Sequence, residues 1–240
     1  MLSQPPHSPL QNREFQDSAT QALPPVVGPR WQAGVVPLIR VRTMSSVQLH
    51  DEIRSLVAQL APADVIEAEH CRDAVAWLDG TDDIFRRLPP RTPSPHLVSY
   101  FLLVDHDQGK VLLVDHRKAG LWLPSGGHVE PGEHPVATVR REAQEELGIP
   151  AVFSPVTGEL PMFVTVTETA STAHRHTDVS LWFVLSSGAN QPLKPDLREF
   201  REVRWWSRDD IGQADPALFD PHLKRMLAKF DRYRAVTADR

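Results

Sequence analysis

The stretch that decides the reading runs from Gly126 to Ile149, GGHVEPGEHPVATVRREAQEELGI. Its second half predicts a helix over Pro135–Leu147, closed by Gly148. Placed at 100° per residue, Val136, Val139, Ala143 and Leu147 share a stripe about 80° wide, which must face a core. Glu142 and Glu146 lie one turn apart on a different face, with Glu145 beside them. Three carboxylates this close repel one another without a counter-ion. Oxygen ligands gathered on a rigid element suit a hard divalent cation, Mg²⁺ or Mn²⁺. The competing reading is a solvated acidic face paired with Arg140 and Arg141. The flanks favour a site. Gly126 and Gly127 allow a sharp turn and a close approach to a ligand, and Gly132 allows a second turn. Glu133 falls at the helix start, where a carboxylate satisfies free N–H groups. Arg141 can reach Glu133 or orient Glu142.

On the N-terminal side the pattern alternates like strands. Leu97–Val104 and Lys110–Asp115 read as two strands around a turn whose chemistry comes from Asp107-Gln108-Gly109. Leu121–Leu123 is a short strand leading into a Gly-Gly turn. On the C-terminal side, strands are expected at Glu159–Thr167, Val179–Leu185 and Val203–Trp206. Ser207 is an N-cap for a following turn that contains Asp209 and Asp210. A last helix is expected over Pro221–Tyr233. Strands and helices mix without βαβ regularity, so the fold class is α+β, an α/β/α sandwich around a mixed sheet.

Ahead of this domain, Ser45–Arg87 reads as a small helical extension (44–90). One helix carries Val47, Ile53, Leu56, Val57 and Leu60. A second covers Asp64–Leu78, with Val65, Ala68, Cys71, Val75 and Leu78 on one side and Gly80 as a stop signal. A third piece carries Ile84, Phe85 and Leu88. Dimerisation, substrate capping and plain support are all open roles, a homodimer among them. Pro89, Pro90, Pro93 and Pro95 form a linker. Residues 1–43, with Pro5, Pro6, Pro9, Pro24, Pro25, Pro29 and Pro37, cannot bury enough apolar surface to offset ordering. They read as a disordered leader, with Met44 as a candidate true start, and residues 235–240 read as a flexible tail.

At this point the central run matches a known pattern. It resembles the Nudix box, G-x5-E-x7-R-E-U-x-E-E-x-G-U with U apolar. The matching positions are Gly127, Glu133, Arg141, Glu142, Ala143, Glu145, Glu146, Gly148 and Ile149. Only Ala143 is smaller than usual. The strand pair before the box, KAGLWLPSGGHVEPGE and REFREVRWWSRDDI extend the likeness over about residues 96–234. The resemblance to MutT-like pyrophosphohydrolases implies a loop–helix–loop that presents carboxylates to Mg²⁺ on a substrate pyrophosphate. It implies Glu142 and Glu146 as metal ligands, Glu145 as a further ligand, and the Gly126 carbonyl as another. Glu133 and Arg141 become architectural members of the catalytic set. The general base does not carry over. Glu146, Glu168, Glu199 and Glu202 are the candidates.

Substrate clues are weaker. Trp122 reads as a stacking platform or as core. Trp182 and Phe183 read as a buried strand. His174, Arg175 and His176 sit in a polar loop, where they contact phosphate or a base edge or simply face solvent. Asp178, opening the next strand, is placed to pair with a base edge. The expected substrate is a small nucleotide-like molecule, a nucleoside diphosphate linked to another group, with nucleoside triphosphates favoured. Two alternatives stand beside it: a non-catalytic nucleotide-sensing domain, which commonly loses box glutamates, and a prenyl-diphosphate isomerase. The second lacks a catalytic cysteine in the core domain, since Cys71 lies in the extension.

Bulk properties set the outer limits. The 240 residues are 41% apolar and 24% charged, ordinary for a globular chain. No apolar run approaches the ~20 residues of a membrane span. A formal charge of −5 offers no broad field for a nucleic-acid backbone, so general nucleic-acid binding is not expected. Cys71, the one cysteine, can form no intramolecular disulfide, which fits a reducing cytoplasm.

Overall fold

The computed structural model describes residues 45–88, 93–169, 175–188 and 190–238. The leader, Met44, Pro89, Pro90, His174 and the last two residues of the expected tail lie outside the described residues. Seven strands form one mixed sheet: β1 (His96–Asp105), β2 (Lys110–His116), β3 (Leu121–Leu123), β4 (Ser125–His128), β5 (Phe163–Glu168), β6 (Thr177–Ser186) and β7 (Phe200–Trp206). The order β3-β2-β1-β6-β5 puts β1 at the centre, with β4 also paired to β1 and β7 to β2. β1 runs parallel to β6, His96 facing Asp178, and antiparallel to β2 and β4.

Alternation along the central strands creates two cores. Leu97, Phe101, Leu103, Leu181, Phe183 and Leu185 face one side, while Leu102, Val104, Trp182 and Val184 face the other. The first side is covered by α1 (Ser46–Ala58), α2 (Val65–Gly80) and α3 (Pro135–Leu147). The second is covered by α4 (Arg208–Gln213) and α5 (Leu223–Ala238), through Ile211, Leu223, Met226, Leu227 and Phe230. The result is an α/β/α sandwich, because each sheet face is apolar and each helix has one stripe to bury. Among the described residues no helix is long and apolar enough to cross a membrane.

Local signals explain where the helices start. Ser45 and Gln48 form a capping box on α1, and Ser207 and Asp210 form one on α4. Asp64 caps α2 and also takes two bonds from Arg225 of α5. A second tie between these helices is buried: Lys229 Nζ lies 2.5 Å from Glu67 Oε1, both side chains at most 1% exposed. Burial pushes Glu67 up and Lys229 down, each against the pull of its partner.

Several expectations shift. In α1 the buried face is Leu49, Ile53 and Val57, whereas Val47 is exposed. In α2 it is Glu67, Ala74 and Leu78, whereas Val65 is exposed. Val47 in α1 and Val65 and Ile66 in α2 stand in the first turn, outside the stripe that faces the sheet, where an apolar side chain can point outward at little cost. The segment around Ile84 is bent chain rather than a helix, and Ile84 O accepts from Leu97 N. The Gly-Gly turn is instead β4, paired along β1. β5 begins at Phe163, later than expected, because the chain turns at Gly158. α5 continues to Ala238, so residues 235–238, read as tail, extend that helix. No Pro or Gly interrupts it there.

Candidate functional site

α3 spans the residues its pattern marks, and its ends are well determined. Gly148 takes the left-handed conformation (φ 67°) that ends the helix. Its cap is His134, whose Nδ1 accepts from Val136 N, with Pro135 in the first turn. Glu133, expected to cap, does something else. Its carboxylate accepts from Arg141 Nε (3.0 Å) and Nη2 (2.9 Å), from Thr138 Oγ1 (2.8 Å) and from Glu130 N (3.1 Å). Burial pushes Glu133 up, but the Arg141 and Thr138 bonds outweigh it and hold the group below its usual range. The loop before α3 is thereby locked to the helix.

Arg141 is the centre of this arrangement. Besides Glu133 it donates through Nη1 to Glu142 (2.7 Å) and Glu145 (3.3 Å), and through Nη2 to the His128 carbonyl (3.1 Å). The bonds it donates to Glu133 first, then the charge of Glu142, raise its pKa above the ordinary value against the opposing effect of burial. A planar five-donor guanidinium is the side chain that can serve these partners at once.

β4 and α3 meet closely where the two glycines stand. Gly126 N donates to Glu146 Oε2 at 2.9 Å. Gly126 has φ 141°, and a Cβ there would lie 2.2 Å from the Ser99 carbonyl oxygen. A Cβ on Gly127 would lie 2.1 Å from Glu142 Oε1. Both glycines are thus demanded by close approach: Gly126 by the β1 backbone, Gly127 by a carboxylate.

The three box carboxylates differ in environment. Glu142 is 12% exposed and Glu145 61%, so Glu145 stands at the rim. Glu146 is buried, and burial followed by the neighbouring Glu142 charge pushes it up to about 9, against the bond from Gly126. Burial also raises Glu142, against Arg141. A buried carboxylate beside a largely buried one holds either a proton or a cation at neutral pH, and their oxygens fit a hard divalent ion. Of the outlying carboxylates, Glu199 acts electrostatically on both Glu142 and Glu146. Glu168 instead pairs with Arg175 at the surface, and Glu202 is exposed.

The substrate-side candidates are divided by the fold. Trp182 and Phe183 are fully buried, as expected of an interior strand. Trp122 packs edge-on to Trp206, ring centroids 5.1 Å apart. Arg175 is exposed, but His176 and Asp178 turn inward to join His96 and His128 in a cluster whose His96 and Asp178 are buried and whose His128 and His176 are half-buried. His96 and His128 were not singled out by sequence. The one signal available was a histidine at each end of otherwise apolar or glycine-rich strand segments. Arg86 was missed as well. It is half-buried, and the charges of Asp178 and Glu142 both reach it.

The NUDIX domain family matches residues 95–230, more than half of the chain. No curated relative matches the sequence significantly. Among solved structures, a NUDIX-family hydrolase from Clostridium perfringens is 25% identical, covering 58% of this chain and 98% of its own, with a TM-score of 0.44. A MutT protein from Methanosarcina mazei Go1 is 22% identical over 57% of this chain and 94% of its own, also with a TM-score of 0.44. A MutT NUDIX hydrolase from Burkholderia pseudomallei is 20% identical, covers 55% and 95%, and has a TM-score of 0.41. The domain match alone settles the affiliation: this chain belongs to the NUDIX family and is a hydrolase of pyrophosphate bonds.

Proposed function

We propose that the chain is a Mg²⁺-dependent pyrophosphohydrolase acting on a nucleoside diphosphate linked to another group, with nucleoside triphosphates as the favoured class. The observation that carries this reading is the convergence of Glu142 and Glu146, both largely buried, on the close approach of Gly126 and Gly127. Glu142, Glu146 and the Gly126 carbonyl would hold the ion, with Glu145 at the exposed rim as a further ligand. A bound ion supplies charge neutralisation on the phosphates and a more acidic water. The remaining chemistry belongs to the chain. Arg141 and Glu133 position α3 against β4, so that the carboxylates stay aligned through turnover. Glu146 or Glu199 takes the proton of the attacking water, both lying in one electrostatic neighbourhood. A reducing, cytoplasmic setting belongs to the same reading and rests on the lone Cys71.

Phosphate release from a panel of nucleoside triphosphates and diphosphate conjugates, with and without Mg²⁺, tests the proposal. Turnover should require the ion, and Glu146→Gln should lower kcat by ~10²–10⁴-fold. Undiminished turnover in chelator would reject the metal dependence. Tight metal-independent nucleotide binding without turnover would favour a sensing domain instead.

A further inference from the structure

Four potential metal ligands meet at one end of the central strands, outside the carboxylate site. His96 opens β1, Asp178 faces it across the parallel register of β6, His128 ends β4, and His176 precedes β6. One ligand atom from each lies within 4.8 Å of all the others. Asp178 Oδ1 is the hub: 3.1 Å from His96 Nε2, 3.4 Å from His176 Nε2 and 3.9 Å from His128 Nε2. Around a tetrahedral ion with bonds of about 2.0–2.1 Å, neighbouring ligand atoms stand roughly 3.4 Å apart. The three separations from Asp178 bracket that value, and the others stay within 4.8 Å, so a small inward movement of the imidazoles completes the shell.

The His96 side chain is fully buried, and its Nδ1 lies 2.6 Å from the Pro93 carbonyl. A carbonyl only accepts, so the neutral ring carries its proton on Nδ1 and leaves Nε2 unprotonated. Metal-bound histidines are commonly oriented by a bond of this kind from the second nitrogen. Among the described residues, His96 Nε2, His128 Nε2 and Asp178 Oδ1 are buried with no hydrogen-bond partner. Buried polar atoms are rarely left in that state. The His96 lone pair and the Asp178 carboxylate oxygen repel one another at this distance, and a cation between them satisfies both and gives His128 Nε2 a partner as well.

We infer that His96, His128, His176 and Asp178 form a four-ligand site for a transition ion of the Zn²⁺ class, separate from the carboxylate site on α3. Imidazole nitrogen selects such ions over Mg²⁺, which takes oxygen. Four protein ligands leave no open position, so the site is structural rather than catalytic. It staples β1, β4 and β6 to the chain entering β6. It also bears on the carboxylate site, because the His128 carbonyl accepts from Arg141. Arg86 and, more weakly, Lys118 are like charges the ion must tolerate, and the carboxylates of Asp178 and Glu142 offset Arg86.

The test uses the full chain, stripped by chelator and then dialysed against Zn²⁺ with excess Mg²⁺ present. Metal is counted per chain by mass spectrometry, and a parallel sample is loaded with Co²⁺ for its visible spectrum. The expected result is one retained Zn²⁺ per chain, the strong visible bands of tetrahedral Co²⁺, and a higher Tm with Zn²⁺ than without. His176→Gln and Asp178→Asn should each weaken Zn²⁺ binding by more than the ~10–100-fold that a change outside the ligand shell costs. The double variant Glu142→Gln, Glu146→Gln should keep its Zn²⁺. No retained Zn²⁺ in the wild type, or a weak octahedral Co²⁺ spectrum, would overturn the assignment. So would Zn²⁺ lost with the glutamates but kept in His176→Gln. Should a ligand variant fail to fold, the wild-type spectrum and the glutamate double variant decide the matter without it.

Discussion

Two adjacent glycines allow chemistry and folding to be separated by single methyl groups. In Gly127→Ala the new Cβ would stand 2.1 Å from Glu142 Oε1 and 2.6 Å from its carboxyl carbon, where ordinary contact begins at 3.4 Å. The carboxylate must therefore retreat by about 1 Å, which it can do by rotation because it ends a flexible side chain. A displacement of that size at a reacting centre costs ~10²-fold in kcat, about 2.7 kcal/mol of barrier. The fold loses about 1 kcal/mol through the Arg141–Glu142 bond and regains about 0.4–1 kcal/mol from the reduced freedom of the unfolded chain. The Tm should stay within about 3 °C of wild type. In Gly126→Ala the Cβ would meet the Ser99 carbonyl oxygen at 2.2 Å and Tyr100 Cα at 2.7 Å, from a residue at φ 141°. Backbone of the central strand cannot rotate away, so this variant should lose roughly 3 kcal/mol or more and melt about 10 °C lower. Thermal unfolding by circular dichroism and Mg²⁺-dependent pyrophosphate release on both variants supply the readouts. Gly127→Ala with wild-type turnover would show that the position of Glu142 is irrelevant to catalysis. A melting point as low as that of Gly126→Ala would show that side-chain rotation does not relieve the overlap.

Arg141→Lys, which loses the planar fork, should lower activity at least ~10-fold and raise the Mg²⁺ concentration needed for half-maximal rate; an unchanged Mg²⁺ dependence would remove Arg141 from its positioning role. Glu67→Gln alone or Lys229→Met alone should cost about 3–5 kcal/mol in urea unfolding, since each strands a buried charge. The paired change Glu67→Leu with Lys229→Met should lie close to wild type, and an equally unstable double variant would contradict that account. Asp64 is held down at about 2 by its hydrogen bonds from Arg225, below the 3.8 of an ordinary aspartate. A depressed native value means stability that is present above the unfolded value and lost as pH falls through the native one. Arg225→Gln should therefore flatten the fall in Tm between about pH 4 and pH 2, whereas an acid limb as steep as wild type would locate that loss in other carboxylates.

What the sequence determined by itself is whatever rests on short-range spacing. The limits of α3, its Gly148 stop, the Asp107–Gly109 turn, the Ser207 cap and the interior placement of Trp182 and Phe183 were all legible, because periodicity and turn chemistry act within a few residues. So was the spacing of Glu133, Arg141, Glu142, Glu145 and Glu146. Tertiary structure decided what depends on distant partners. Whether Gly126 and Gly127 turn or pair was settled by β1, and which face of α1 is buried was settled by the helix and sheet beside it. Glu133 looks like a cap in the linear chain and becomes an anchor once Arg141 arrives from two turns of α3 away. Glu145 and Glu146 are neighbours in the chain with opposite fates, one at the rim and one buried. His96, His128, His176 and Asp178 span about eighty positions, and only the pairing of β1 with β6 on one side and β4 on the other gathers them. Periodicity reports which side of an element is apolar, but the electrostatic surroundings of a carboxylate or imidazole come from residues the local pattern does not contain.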